Sequence, residues 1–298
     1  MAHITLLDGG MGQELLRRSA REVSPLWSAD IMLNEPQLVR DLHSDFIAAG
    51  ARVITLNTYT ATPPRLKREH QLNELQKLHD LANQAALTAV AQSGHSNVRI
   101  AACLPPLVAS YHPEMSLSYA ESLSYYRQLA ELQNPASDLF ICETMSSILE
   151  ASAASAAALE TGKPVWIALS VCDDNQQLLR SGETLKSAIE ELDTLGVEAI
   201  VLNCSQPEAI THSWPVLKKS AKQIGAYANG FTSIEELYPG DTVEVLNARK
   251  DLGPQEYAKH AMKWVQNGAS IIGGCCEIGP LHIKALRDAL IQAGYCCD

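Results

Sequence analysis

Eight short runs of aliphatic and β-branched residues recur along the chain, each followed by a longer stretch of helical period. This alternation constrains the fold more than any other feature. The runs fall at 3–8 (HITLLD), 52–57 (RVITLN), 98–104 (VRIAACL), 138–143 (DLFICE), 165–171 (VWIALSV), 198–204 (EAIVLNC), 224–229 (IGAYAN) and 269–274 (ASIIGG). Near-continuous apolar strands are those buried on both faces of a parallel sheet. Helices are predicted at about 36–49, 73–93, 116–133, 146–161, 184–195, 206–221, 254–267 and 280–293. Gly50 and Gly196 stand at predicted helix ends, and Pro254 and Pro280 near first turns, as helix termini favour. Eight strand–helix units in 298 residues predict an α/β protein, a single (β/α)8 TIM barrel spanning residues 1–298. The alternative is an open doubly wound sheet, but the glycine-rich first turn, DGGMG at 8–12, lacks dinucleotide spacing.

Charge narrows the partners. With 23 Lys plus Arg against 34 Asp plus Glu the net charge is −11, which argues against a protein living on nucleic acid or anionic membrane. No apolar run is long enough to span a bilayer. The opening MAHITLLDGG reads as a first strand rather than a secretion signal. A cytoplasmic protein acting on small molecules, as a monomer or small homo-oligomer, is therefore expected. Its eight cysteines are then thiols, and a cluster of them points to metal or catalysis.

In a barrel, chemistry collects at the C-terminal ends of the strands. Those ends carry Asp8, Asn57, Cys103, Glu143, Ser170, Cys204, Asn229 and the run Gly273-Gly274-Cys275-Cys276. No lysine is among them, which argues against a Schiff-base enzyme, and the nine histidines are scattered and read as solvated or capping residues. Successive strand side chains point to opposite faces, so Cys275 and Cys276 can share one metal only where the chain leaves strand geometry. Gly273 and Gly274 permit that departure. Cys204 ends the sixth strand and the pair ends the eighth; alternate strands feed the same interior layer. Three thiolates with one open position form a catalytic zinc site; an iron–sulfur cluster is the other option, though its usual spacing is missing. The tail pair Cys296-Cys297 follows the last helix and reads as incidental. Asp8 and Glu143 face the same mouth and suit an amino-acid ammonium group better than acid–base work, since a metal would supply activation.

The stretches LLDGGMGQELLRR, PLWSADIMLNEPQLVRDLHSDFIAAGARVITLNTY, DLFICETMSSILEA, AIVLNCSQPEAI and IIGGCCEIGPLHIKAL together resemble the homocysteine S-methyltransferase family, from about residue 6 to 290. The resemblance implies a Zn²⁺-dependent enzyme that moves a methyl group onto L-homocysteine, giving methionine. It implies Cys204, Cys275 and Cys276 as zinc ligands, and Asp8, the Gly9 backbone and Glu143 as contacts of the homocysteine amino group. Tyr59 falls where a tyrosine oxygen fills the open zinc position in the betaine-using branch, and Trp27 matches an aromatic near the methyl donor. Asn203, in the NC motif, and Asn229 are candidate pocket residues. The betaine branch places an aromatic where this chain has Thr144, and a trimethylammonium group needs an aromatic cage. With 5% aromatic residues few replacement walls are expected, Tyr111 being one candidate. A sulfonium donor is thus expected: S-methylmethionine, then S-adenosylmethionine. The alternatives are a betaine- or corrinoid-dependent thiol methyltransferase and, in another class, a non-catalytic zinc-binding barrel acting as a sensor. Two departures stand out: Glu277 follows GGCC where glycine is common, and ACLPPLVASY at 102–111 replaces the usual Gly/Ser-rich stretch. The resemblance also implies a chain without the tetramer-forming extension of the betaine enzymes or the folate and cobalamin modules of the large methionine synthases.

Overall fold

A computed structural model describes residues 2–174 and 176–297. Nine strands form one sheet: β1 (His3–Leu6), β2 (Val53–Thr55), β3 (Arg99–Leu104), β4 (Leu139–Met145), β5 (Val165–Leu169), β6 (Ala199–Asn203), β7 (Gln223–Tyr227), β8 (Ile271–Ile272) and β9 (Cys296–Cys297). Their order is β2-β3-β4-β5-β6-β7-β8-β1-β9, and every pairing is parallel. At the two ends of this order the strands meet again. Leu7 bridges Val53 in parallel, the Asp8 N–H donates to the Val53 carbonyl at 3.0 Å, and the Arg52 N–H to the Leu6 carbonyl at 2.8 Å.

Eleven helices flank the sheet: α1 (Met11–Arg18), α2 (Ser28–Asn34), α3 (Pro36–Ala49), α4 (Pro63–Arg68), α5 (Leu75–Ser93), α6 (Tyr119–Gln133), α7 (Ile148–Leu159), α8 (Leu185–Leu192), α9 (Pro207–Leu217), α10 (Pro254–Gln266) and α11 (Pro280–Gln292). Their ends follow local chemistry. α3 opens on a proline and stops at Gly50; α6 carries a Ser118–Glu121 capping box, which satisfies two N-terminal donors reciprocally. α1, α2 and α4 are additional to the eight predicted helices.

Two apolar layers result. The larger lies between sheet and helices and includes Phe46, Tyr126, Tyr257 and Trp264, none more than 1% exposed. The smaller is built from strand residues of β2 to β8 together with Leu7: Val53, Ala101, Leu139, Ile141, Trp166, Ala168, Ala199, Val201, Tyr227 and Ile271. Its members recur every second residue, the strand period. Continued toward the C-terminal ends, the same phase carries Thr55, Cys103, Glu143 and Asn203.

Two expectations need correction. His43 and His79 are not solvated; both are fully buried, and burial pushes each down to about 4. The tail cysteines are not incidental to the fold: Cys296 and Cys297 pair with His3 and Ile4 as β9, at the end of β1 away from Asp8.

Candidate active site at the strand ends

A cavity of about 100 Å³ opens at the C-terminal ends of the strands, lined among others by Asp8, Gly9, Gly10, Trp27, Tyr59, Tyr111, Glu143, Tyr227 and the three cysteines Cys204, Cys275 and Cys276. Cys204 leaves β6 in the left-handed region, φ 47°. Its Cα is 5.6 Å from that of Cys275 and their sulfurs are paired as a disulfide. Cys276 Sγ lies 3.9 Å from Cys204 Sγ, and the three sulfurs fall within 4.8 Å of one another. The expectation that every cysteine is a free thiol is thus corrected at one pair: the two turns bring these Cα atoms to the usual disulfide span. Gly10 packs against the same turn; a Cβ there would meet the Cys275 carbonyl at 2.6 Å. Burial pushes the Cys276 thiol up to about 12.

The carboxylates sit across the cavity without a cation. The Thr55 N–H donates to Asp8 Oδ2 at 2.7 Å and the Thr55 hydroxyl to Oδ1 at 3.3 Å. Glu143 accepts from Cys103 Sγ at 3.2 Å and from the Tyr227 hydroxyl at 3.2 Å. Among the described residues neither carboxylate forms an ion pair within 4.0 Å. Burial, with Glu143 nearby, pushes Asp8 up to about 8, and burial also raises Glu143. Two buried acids oriented by neutral donors and lacking a counter-ion have the chemistry to receive a cationic group.

Tyr59 lines the cavity but turns its hydroxyl to Ser110 Oγ at 2.9 Å. The tyrosine oxygen against the sulfurs is that of Tyr111, 3.1 Å from Cys204 Sγ, with the Arg180 guanidinium 4.9 Å over its ring. Trp27 stands edge-on to Tyr59 at 6.5 Å. Thr144, Asn203 and Asn229 are buried and are not lining residues. Asn203 Nδ2 donates to the Thr144 hydroxyl at 3.0 Å and its Oδ1 accepts from the Thr144 N–H at 3.1 Å; Asn229 Oδ1 accepts from the Phe231 N–H at 3.2 Å. These polar groups fix the turns beneath the cavity. The expected scarcity of aromatic walls is also corrected, because Trp27, Tyr59, Tyr111, Tyr227 and Phe231 all line it. Phe231, Leu237, Val243 and Leu246, between β7 and α10, add apolar lining.

Strain gathers here. Of the seven non-glycine residues at positive φ among the described residues, five are Trp27, Tyr111, Thr144, Cys204 and Glu277. Each costs roughly 1–3 kcal/mol, a penalty typical of functional sites. Glu277, at φ 67°, occupies a conformation glycine adopts freely, and its carboxylate pairs with Arg17 instead of lining the cavity. Sequence reasoning missed Tyr227, Thr55 and the contact of Tyr111 with Cys204. Strand phase was the available signal for the first two: they share the inward parity of Ala101 and Ile141.

The profile of the family described as homocysteine S-methyltransferase matches residues 5–290. The chain is 30% identical to homocysteine S-methyltransferase 1 of Arabidopsis thaliana, across 94% of this chain and 91% of that protein. It is 28% identical to the selenocysteine methyltransferase of Astragalus bisulcatus, across 96% and 92%. The metallated form of the homocysteine methyltransferase MmuM from Escherichia coli has a similar fold, with a TM-score of 0.80 at 24% identity over 96% of each chain.

Proposed function

The chain belongs to the homocysteine S-methyltransferase family and is a methyltransferase enzyme; on that premise we propose that it moves a methyl group from a sulfonium donor to L-homocysteine at a zinc site, forming methionine. One observation carries the reading: two buried, cation-free carboxylates share a cavity with three converging sulfurs. The same reading takes the sheet as a closed eight-stranded barrel forming one domain over residues 1–298, supported by the Leu7–Val53 bridge.

The sulfurs fit the metal. Zinc–thiolate bonds of about 2.3 Å in a tetrahedron separate sulfurs by about 3.8 Å, close to the 3.9 Å between Cys204 and Cys276. An all-thiolate donor set suits zinc, and Cys204 and Cys275 must be reduced to take part. When bound, zinc supplies a thiolate-stabilising position that keeps the acceptor's sulfur nucleophilic at neutral pH.

This chain's residues do the rest. Asp8 and Glu143 take the ammonium of homocysteine, the Gly9 backbone borders it, and the acceptor is thereby oriented with its sulfur toward the cysteines. Trp27 and Tyr59 flank a sulfonium cation through their ring faces. The acceptor sulfur's electron pair forms the new bond to the methyl carbon. The donor's carbon–sulfur bond breaks, and its pair returns to the donor sulfur as a neutral thioether. Apolar cover from Phe231, Leu237 and Val243 excludes water from the transfer. Thr144 shapes the wall from beneath, through Asn203.

The five aromatic walls also favour betaine as a donor, so a donor panel decides. Methionine formation from homocysteine is expected with S-methylmethionine, more weakly with S-adenosylmethionine, and little with betaine, and it should stop on chelation. Betaine as the fastest donor would overturn the sulfonium assignment. Glu143→Gln should raise the homocysteine KM roughly 5- to 150-fold, by the loss of a charged hydrogen bond, with zinc content unchanged.

A further inference from the structure

Behind the aromatic wall lies a second cavity of about 60 Å³. It shares Trp27, Tyr59, Ser110, Leu237 and Val243 with the first, so the two adjoin across the Trp27–Tyr59 pair. Its lining differs in charge. Where the first cavity holds two carboxylates and no cation, the second is lined by two cations, Arg65 and Arg68, both from α4, and by one carboxylate, Asp241, whose Oδ2 accepts from the Tyr238 N–H at 3.1 Å.

Arg65 is 8% exposed. Its Nη2 donates to the Pro106 carbonyl at 3.0 Å and to Ser110 Oγ at 3.2 Å, and its guanidinium lies 5.5 Å over the Tyr59 ring. Its Nε, fully shielded, has no hydrogen-bond partner. Among the described residues no carboxylate comes within 4.0 Å of it. Glu150 acts on it only from farther off, and burial pushes that carboxyl up to about 7. Burial and the like charge of Arg68 both work against the charge on Arg65. Arg68 Nε donates to Glu69 Oε1 at 2.8 Å and Nη1 to the Val108 carbonyl at 3.3 Å. A buried guanidinium without a counter-ion is costly unless an anion completes it, and its forked donors match a carboxylate.

We propose that this second cavity is the subsite for the amino-acid end of the methyl donor, with Arg65 and Arg68 receiving its carboxylate. The inference rests on the sulfonium reading above. In a sulfonium amino acid such as S-methylmethionine the carboxylate carbon lies four bonds from the sulfur, about 5 Å when extended. A sulfonium against the shared Trp27–Tyr59 wall therefore has its tail within reach of α4. Acceptor and donor are then told apart by charge: the acceptor is held by its ammonium on one side of the wall, the donor by its carboxylate on the other.

The test uses the reduced, zinc-loaded protein and two donors, S-methylmethionine and its decarboxylated counterpart (3-aminopropyl)dimethylsulfonium, which keeps both cations and loses the anion. The wild type is expected to prefer the first by about tenfold or more in kcat/KM, the effect of one charge-assisted hydrogen bond. Arg68→Gln and Arg65→Lys should erase most of that preference by raising the S-methylmethionine KM, with the homocysteine KM and zinc content unmoved. Should Arg65→Lys fail to fold, Arg68→Gln and the donor pair still decide. Equal use of the two donors by the wild type, or an unchanged S-methylmethionine KM in Arg68→Gln, overturns the subsite while the sulfonium reading stands. A rise in the homocysteine KM instead would give the arginines to the acceptor's carboxylate and equally overturn it. A wild type that transfers methyl from betaine but from neither sulfonium defeats the underlying reading and the subsite with it.

Discussion

Asp8 is held near pH 8 by burial, so in the ligand-free enzyme its carboxyl is largely protonated at pH 7. An ammonium group placed against it favours the charged form and lowers that value. Ligand binding at pH 7 should therefore expel a proton, and affinity should climb from pH 6 to 8. Methionine is the clean probe, because its sulfur carries no proton. Calorimetry in two buffers of different ionisation heat reads the release directly; pH-independent binding without proton release would remove Asp8 from the ammonium site. The sign for stability is the reverse. A carboxyl whose folded value is raised favours the folded state below its unfolded value of about 4, and that contribution is lost as pH rises through about 8. Asp8→Asn should thus stabilise the ligand-free protein most at alkaline pH. A second residue-scale test lies at Gly12 in α1. Alanine is the better helix former by about 1 kcal/mol, yet a Cβ here would lie 1.9 Å from Trp27 Cζ2. Gly12→Ala should fold and yet lose methyl transfer by roughly 100-fold, the cost of a misplacement near 1 Å. Unchanged kcat/KM would show that the ring's position is immaterial.

The three sulfurs are brought together by elements rather than by one motif. Cys204 leaves β6, Cys275 and Cys276 follow β8, and β7 pairs with both strands between them. Cys276→Ser should leave too few ligands for tight binding and drop zinc content toward zero. Cys297→Ser, in β9 at the far end of β1, should retain it; full metal in Cys276→Ser would break the ligand set. The eight main strands were legible because each falls in a short, near-continuous apolar run, and Cys204, Cys275 and Cys276 because motif and strand end coincide. α1, α2 and α4 were not: eight, seven and six residues long, they lie in the connections after β1 and β2, ahead of α3 and α5 and outside the strand–helix alternation. β9 is two residues long and owes its existence to a neighbour, β1, that no local pattern announces. Tyr227 was overlooked for a related reason. It ends β7, short of Asn229 where the sequence run stops, and only the parity of the inner layer reveals that its hydroxyl reaches Glu143. Thr144 lies in β4 where the register shifts between Cys142 and Met145, so parity lapses there and its contact with Asn203 at the end of β6 cannot be read from order along the chain.

At the scale of the whole molecule, α7 is half alanine and lies against β4, β5 and α6. The charge of −11 has an effect that begins before any molecule touches the wall. A negative field at long range acts as a sieve in the surrounding water: it enriches cations near the mouth and thins out anions, setting arrival frequency apart from grip. S-methylmethionine carries two positive groups and one negative, so it is drawn in, whereas net-neutral betaine feels little pull. Added salt shortens the reach of that field from about 30 Å at 0.01 M to about 8 Å at 0.15 M. Turnover at low donor concentration should fall with salt for S-methylmethionine and stay level for any weak betaine reaction, so that the ionic composition of the medium helps choose between donors that the cavity's aromatic walls would both admit.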